Sequence, residues 1–163
     1  MSAGMRRKDR QITEPGELRG ILTATRVCRI AFAHGDTPYI VPLNFGWRWD
    51  GDRVEDLVLY FHCAREGRKL ELMGANPRVA FEMDLADELV RADRPCKWGV
   101  KYRSLVGLGR LERVAGAEER REGLDRIMEH HGARGPFAYD EATLRATLVL
   151  RLRVSEMTGK KVG

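Results

Sequence analysis

Leu59-Tyr-Phe-His-Cys-Ala-Arg-Glu-Gly-Arg-Lys69 frames the reading of the whole chain. Its first half is an apolar, β-type run that leads into His62. A short turn at Gly67 follows, and Arg68-Lys69 opens a helical segment, about residues 68–74, with Leu70 and Met73 on one side; it ends before Asn76-Pro77. A strand that turns into a helix start makes an anion site. The first N–H groups of a helix find no carbonyl inside it, and two cationic side chains reinforce them. Positive charge at that end opposes the helix dipole unless an anion compensates. The segment therefore points to a phosphorylated ligand, with His62 and Cys63 beside whatever that ligand carries.

Outward from this stretch, the chain alternates strands with short turns. Thr13-Glu14-Pro15 is a helix start, and Leu18, Ile21 and Leu22 at helical spacing carry the helix over residues 15–24. Residues 27–33 read as a strand, and His34-Gly35-Asp36-Thr37-Pro38 as the turn into a second one over 39–45. Pro42 lies inside that strand, so it belongs at an edge or a bulge. Asp50-Gly51-Asp52 is the next turn, and 57–62 the third strand. Strands are expected over 78–83, 101–114 and 147–154, helices over 117–131 and about 140–145, and a polar loop over 84–97. About six strands joined mostly by turns fit a mainly β fold, an antiparallel barrel with helices packed outside. A Rossmann nucleotide site has no support, since no GxGxxG follows a strand.

The 163 residues suffice for one domain with a real core. Residues 1–11 read as a flexible basic segment and 12–163 as the domain. No apolar run approaches the roughly 20 residues of a membrane span, and the basic start lacks the apolar stretch of a signal peptide. A cytoplasmic protein is expected. Cys28, Cys63 and Cys96 are odd in number and lack CxxC spacing, against a disulfide framework or a zinc site. Net charge is +5. The basic residues are scattered among acidic ones, which makes nucleic acid the minority reading beside an anion pocket.

The remaining signals weigh differently. On pattern alone, His62 reads as a hydrogen-bonded core histidine, and Cys63 as a small buried hydrophobe with no base beside it in sequence. His130-His131 closes a helix, where cations are favoured. Trp98-Gly-Val-Lys-Tyr-Arg-Ser104 is either a strand entry with one anchoring Trp or a wall for a flat, charged ligand. Trp47-Arg48-Trp49 is a hairpin tip or a pocket lid.

Taken together, Met5-Arg-Arg-Lys-Asp-Arg10, Val41-Pro-Leu-Asn-Phe45, Leu59-Tyr-Phe-His62, Glu66-Gly-Arg-Lys69, Asn76-Pro77, Trp98-Gly99, Tyr102-Arg-Ser104 and Thr158-Gly-Lys160 resemble the nitroimidazole-resistance (Nim-type) branch of the pyridoxamine 5′-phosphate oxidase-like flavoproteins. The resemblance covers nearly the whole chain; residues 1–4 lie outside it and are expected to be disordered. It implies an FMN-binding split β-barrel and a homodimer with flavin at the interface. By position, Arg68 and Lys69 would hold the FMN phosphate, while Pro42, Leu43, Asn44, Phe45, Phe61 and His62 would line the ring. Trp98, Tyr102, Arg103 and Ser104 would approach a flavin, from the other subunit if not their own. Reduced FMN would pass hydride or electrons to a small-molecule acceptor, a nitro compound or quinone, with His62 as a polar catalytic partner. The reductant, nicotinamide or other, is open. Two alternatives stay open as well: haem, with His62 as an iron ligand, or deazaflavin on the same barrel, and a non-catalytic FMN sensor.

Overall fold

The apolar run Leu57 to Phe61 shows no polar alternation because both of its faces are covered. The computed structural model describes residues 5–163, so the expectation for residues 1–4 lies outside the described residues. The chain runs β1 (Gln11–Ile12), α1 (Pro15–Ala24), β2 (Val27–Phe32), β3 (Tyr39–Asn44), β4 (Gly46–Trp49), β5 (Leu57–Ala64), α2 (Arg68–Ala75), β6 (Arg78–Val90), β7 (Gly99–Arg113), α3 (Ala117–His130), α4 (Glu141–Ala146) and β8 (Thr147–Val162).

All pairings are antiparallel, in the order β3-β2-β6-β7-β8-β5-β4, with β1 added on β8. Phe45 alone separates β3 from β4 in the chain, yet these two strands end the sheet on opposite sides. The sheet therefore curls until its ends meet, with no ladder between them. It is an antiparallel barrel left open along one seam, a split barrel. β3 bonds only to β2, so Pro42 sits on an edge strand, where a missing N–H is tolerated.

The interior takes alternate residues of the strands, among them Ile30 and Phe32 of β2, Phe81 and Met83 of β6, Leu59 and Phe61 of β5, and Leu150 and Leu152 of β8. Leu18, Ile21 and Leu22 of α1 join the same cluster and plug the barrel. Ile21 and Leu22 are fully buried, worth about 1.5–3 kcal/mol each in transfer from water. A second cluster forms outside, where Leu124 and Ile127 of α3 and Leu144 of α4 cover Val58, Tyr60 and Val149. The backbones of β4 and α3 approach so closely that a Cβ on Gly46 would run into Arg126 and Ile127.

The sheet has eight strands, two more than the sequence count. Residues 84–97 are not a loop: β6 runs on to Val90 and pairs with β7 from Gly99, leaving only 91–98 outside. This stretch is a two-stranded arm wetted on both faces, so it carries no apolar alternation to betray a strand. β8 likewise continues past 154 to Val162, held by β7 and β1. Gly46–Trp49 is a strand of its own on β5.

Among the described residues, no helix covers the outer face of β3, β2, β6 and β7. The register sets two rows across it, Ile40-Ala31-Ala80-Leu108 and Pro42-Arg29-Glu82-Val106. Ile40, Val106 and Leu108 are 58%, 50% and 40% exposed. Arg29 Nη1 bonds Glu82 at 3.0 Å and Asp84 at 2.7 Å in their midst. Hollows of about 470 and 420 Å³ flank Leu108. No described helix is long and apolar enough to cross a membrane.

Candidate functional site

β4 accompanies β5 only as far as Tyr60, while β8 stays beside it to Ala64. Residues 61–64 therefore present one edge of unpaired backbone groups to the seam. β3 presents another. Between Tyr39 and Asn44 this border runs about 17 Å, at about 3.3 Å per residue.

Along it, Pro42 and Asn44 turn outward and are exposed, while Val41 and Leu43 lean on the core. Phe45 and Phe61 are fully buried, so in one chain they brace the border from behind and show no ring surface. His62 is exposed and shares the outer face of β5 with Val58 and Tyr60. It is not a core residue. The α3 end lies beside it: burial, then Arg26, then His62 lower the proton affinity of His131. His130 Nε2 donates to the Thr25 carbonyl at 2.7 Å, and its ring tilts against Phe45 with centroids 4.6 Å apart. Burial lowers His130 too, although the Thr25 contact opposes it. Of the two histidines that helix polarity accounted for, His130 thus also packs at the end of β3. Nothing in their spacing marked that contact.

At the other end, Gly67 adopts φ +134° before α2, a conformation that a side chain would strain. The bonds closing the first turn are Leu70 N–H to the Gly67 carbonyl at 2.9 Å and a longer one from Glu71 at 3.4 Å. The N–H groups of Arg68 and Lys69 have no carbonyl within the helix, and no side chain caps it. Arg68 Nη1 bonds Glu71 at 3.0 Å and its Nη2 touches His34. Lys69 forms no ion pair among the described residues. Burial pushes the nearby Cys63 thiol up, with Lys69 and then Arg113 pulling against it. His34 was missed because it stands 34 residues earlier, in a turn whose composition already explained it.

Trp98, Tyr102, Arg103 and Ser104 are not brought to this border within one chain. Val149 pairs with His62 and Lys160 with Ser104, eleven steps or about 36 Å apart along β8, while Val106 stands three strands, about 14 Å, from Pro42. Trp98 is half-exposed and donates Nε1–H to Ala92 at 2.6 Å. Arg103 grips Asp87 with two bonds of 2.9 and 2.8 Å, which hold that carboxyl below the usual range. Lys160 stands 5.6 Å from the Tyr102 ring and, with Arg10, favours its ionised form.

A family model described as pyridoxamine 5′-phosphate oxidase matches residues 14–161. Among solved structures, a candidate 5-nitroimidazole antibiotic resistance protein from Bacteroides thetaiotaomicron is 29% identical over 93% of this chain and 86% of that one, with a TM-score of 0.78. An FAD-binding protein from Mesorhizobium loti is 25% identical over 94% and 98%, with a TM-score of 0.65. A flavocytochrome from Azotobacter vinelandii, 20% identical over 98% and 72%, shares the fold at a TM-score of 0.78. No curated protein sequence matches significantly. With the split barrel, the strand-edged seam and the cationic helix start in place, the match over residues 14–161 identifies the chain as a member of the pyridoxamine 5′-phosphate oxidase family.

Proposed function

We propose that the protein is an FMN-dependent oxidoreductase of the Nim type, working in the cytoplasm as a homodimer. The carrying observation is the seam itself: two strand edges with unpaired backbone groups, ending at a helix start with two cations and free N–H groups. Those parts suit a planar, polar-edged ring joined to a phosphate, which is the shape of FMN. Bound flavin supplies hydride or electron transfer to a small electrophile, with nitro compounds and quinones as the substrate classes.

The chain's own residues then divide the work. Arg68, Lys69 and the helix N–H groups bind the phosphate. Pro42 to Asn44 and the 61–64 edge orient the ring, braced by Phe45 and Phe61. His62 is a polar partner at the ring or substrate. Trp98 to Ser104 come from the partner subunit and shut water out, since in their own chain they lie about 36 Å from His62 along β8 and three strands away from β3. The bare outer face of β2, β3, β6 and β7 supports the dimer, being apolar enough to bury against a second copy.

The purified protein should be yellow, and mass spectrometry of the released ligand should return FMN. FAD in the released fraction would move the proposal to a dinucleotide, and a Soret band would move it to haem, which the flavocytochrome neighbour makes worth testing. His62→Gln should keep its flavin and lose reductase turnover; unchanged turnover ends the catalytic role.

A further inference from the structure

The strands β1, β7 and β8 run side by side and gather two cations and two hydroxyls. β1 is seated firmly, since Ile12 is buried and a Cβ on its partner Gly159 would run into Ile12 and Leu18. That seat carries Arg10, the residue before β1, to the phenol of Tyr102 on β7. Lys160 of β8 pairs with Ser104, and its Nζ stands 5.6 Å from the centre of the Tyr102 ring. Arg10, Tyr102, Ser104 and Lys160 are all half-buried. The charges around them are paired unevenly. Arg7 bonds Asp9, Lys101 bonds Glu88, Arg103 bonds Asp87 and Lys161 bonds Glu17, whereas Arg10 and Lys160 have no carboxylate partner among the described residues. Asp84, the carboxylate beside Ser104 on β6, is taken by Arg29. Lys160 first, and Arg10 after it, hold the Tyr102 phenol below its ordinary proton affinity, the mark of positive potential left unbalanced. Two half-buried like charges brought together repel and lose hydration, and an anion seated on them offsets both costs.

Resting on the flavin reading above, we propose that Arg10, Lys160, Tyr102 and Ser104 form a second anion site, which takes the pyrophosphate of a dihydronicotinamide dinucleotide, the electron donor to the flavin. The choice of anion follows from the reactants. The flavin phosphate has its own cations in Arg68 and Lys69. Nitro compounds and quinones, the acceptors, need carry no anion. The donor is the reactant left, and a dinucleotide brings two negative charges on one pyrophosphate, one for each unpaired cation. The two hydroxyls donate to its remaining oxygens. Tyr102 and Ser104 belong to the stretch that faces the partner's flavin in the proposed dimer, so a donor held by its pyrophosphate there has its nicotinamide at the right flavin. The dihydronicotinamide gives up one hydride and becomes the pyridinium, the flavin gains those two electrons, and the cluster itself gives and takes nothing.

The test titrates NAD⁺, which is inert toward oxidised flavin, and inorganic pyrophosphate into the flavin-loaded protein by calorimetry. The double variant Arg10→Gln with Lys160→Gln should bind both about tenfold more weakly, the scale of two partly exposed charged contacts. Arg10→Lys with Lys160→Arg keeps both charges and should stay near wild type. In anaerobic stopped-flow, flavin reduction by NADH or NADPH should need about tenfold more donor in the Gln variant for its half-maximal rate. Reduction by N-benzyl-dihydronicotinamide, a hydride donor without phosphate, should not change. Equal binding of NAD⁺ and pyrophosphate by wild type and the Gln variant overturns the site, as does an equal loss with both kinds of donor. Loss of flavin from the Gln variant with an unchanged donor dependence gives the cluster to the flavin phosphate and overturns it too. A wild type that carries flavin and is reduced by neither dinucleotide overturns the donor and leaves the flavin reading standing. A wild type that carries no flavin overturns both.

Discussion

The start of α2 and the arm formed by β6 and β7 both offer cations and exposed side chains to solvent, yet they are braced in opposite ways. The α2 start follows directly from β5, whose residues 57–61 are buried on both faces, and Leu70, Leu72 and Met73 anchor the helix to the barrel core. The arm runs out beyond β2, with β8 beside it only at 102–104, and leaves Leu89 and Trp98 half-exposed and Val100 43% exposed. The first region is complete in one chain. The second is a set of apolar surfaces left uncovered among the described residues. On the proposed function, the groups that a single chain brings together sit on a rigid base, whereas those that would act across the proposed dimer sit on a projecting ribbon.

The largest effect should come from the base itself. Phe61→Ala is expected to cost about 3–5 kcal/mol of stability in urea denaturation, and Trp98→Ala less than about 1 kcal/mol. Equal costs would break the contrast. Next, Arg68→Ala with Lys69→Ala should weaken flavin binding about 100-fold by ligand-fluorescence titration, while the melting temperature of the flavin-free protein holds, since neither side chain packs in the core. Leu108→Glu, in the middle of the bare sheet face, should raise the dimer dissociation constant about tenfold or more without unfolding the chain, as light scattering over a dilution series would show. Trp98→Ala should cost about fivefold in flavin affinity in the wild-type background and nothing in Leu108→Glu, since in the proposed dimer the ring it meets belongs to the other protomer.

The smallest effect concerns pH. Burial, the main cause, keeps the folded-state proton affinity of His130 below the ordinary value of 6.5. The unfolded chain then takes up its proton first. Stability should fall as pH drops from about 6.5 toward the lowered folded value, and level off below it. His130→Gln should reduce that slope by part only, since His131 is lowered by the same cause.

The β5–α2 stretch was legible because its signals are local: an apolar run, a glycine and two cations within eleven residues. Pro42 announced an edge strand for the same reason, and the α1 plug showed in the spacing of Leu18, Ile21 and Leu22. The arm was not legible, because a ribbon wetted on both faces needs no alternation, and its strands are held by backbone bonds that any sequence can make. Nor did spacing place His34 on Arg68 or His130 on Phe45, since a contact across 34 or 85 residues is a property of the closed sheet. His62 looked like a core histidine because Phe61 beside it is one of the most buried residues, and a strand turns consecutive side chains to opposite faces.

The seam has one more consequence. β3 is fastened to the rest of the molecule by β2 on one side and by the single residue Phe45 at its end. Widening the gap between β3 and β5 therefore breaks no hydrogen bond of any ladder; it is resisted by packing, that of Val41, Leu43 and Phe45 among it. A barrel closed by a ladder would have to unzip to admit a flat molecule, whereas this one has only to uncurl. For the proposed flavin, entry and release would then need no local unfolding of a ladder.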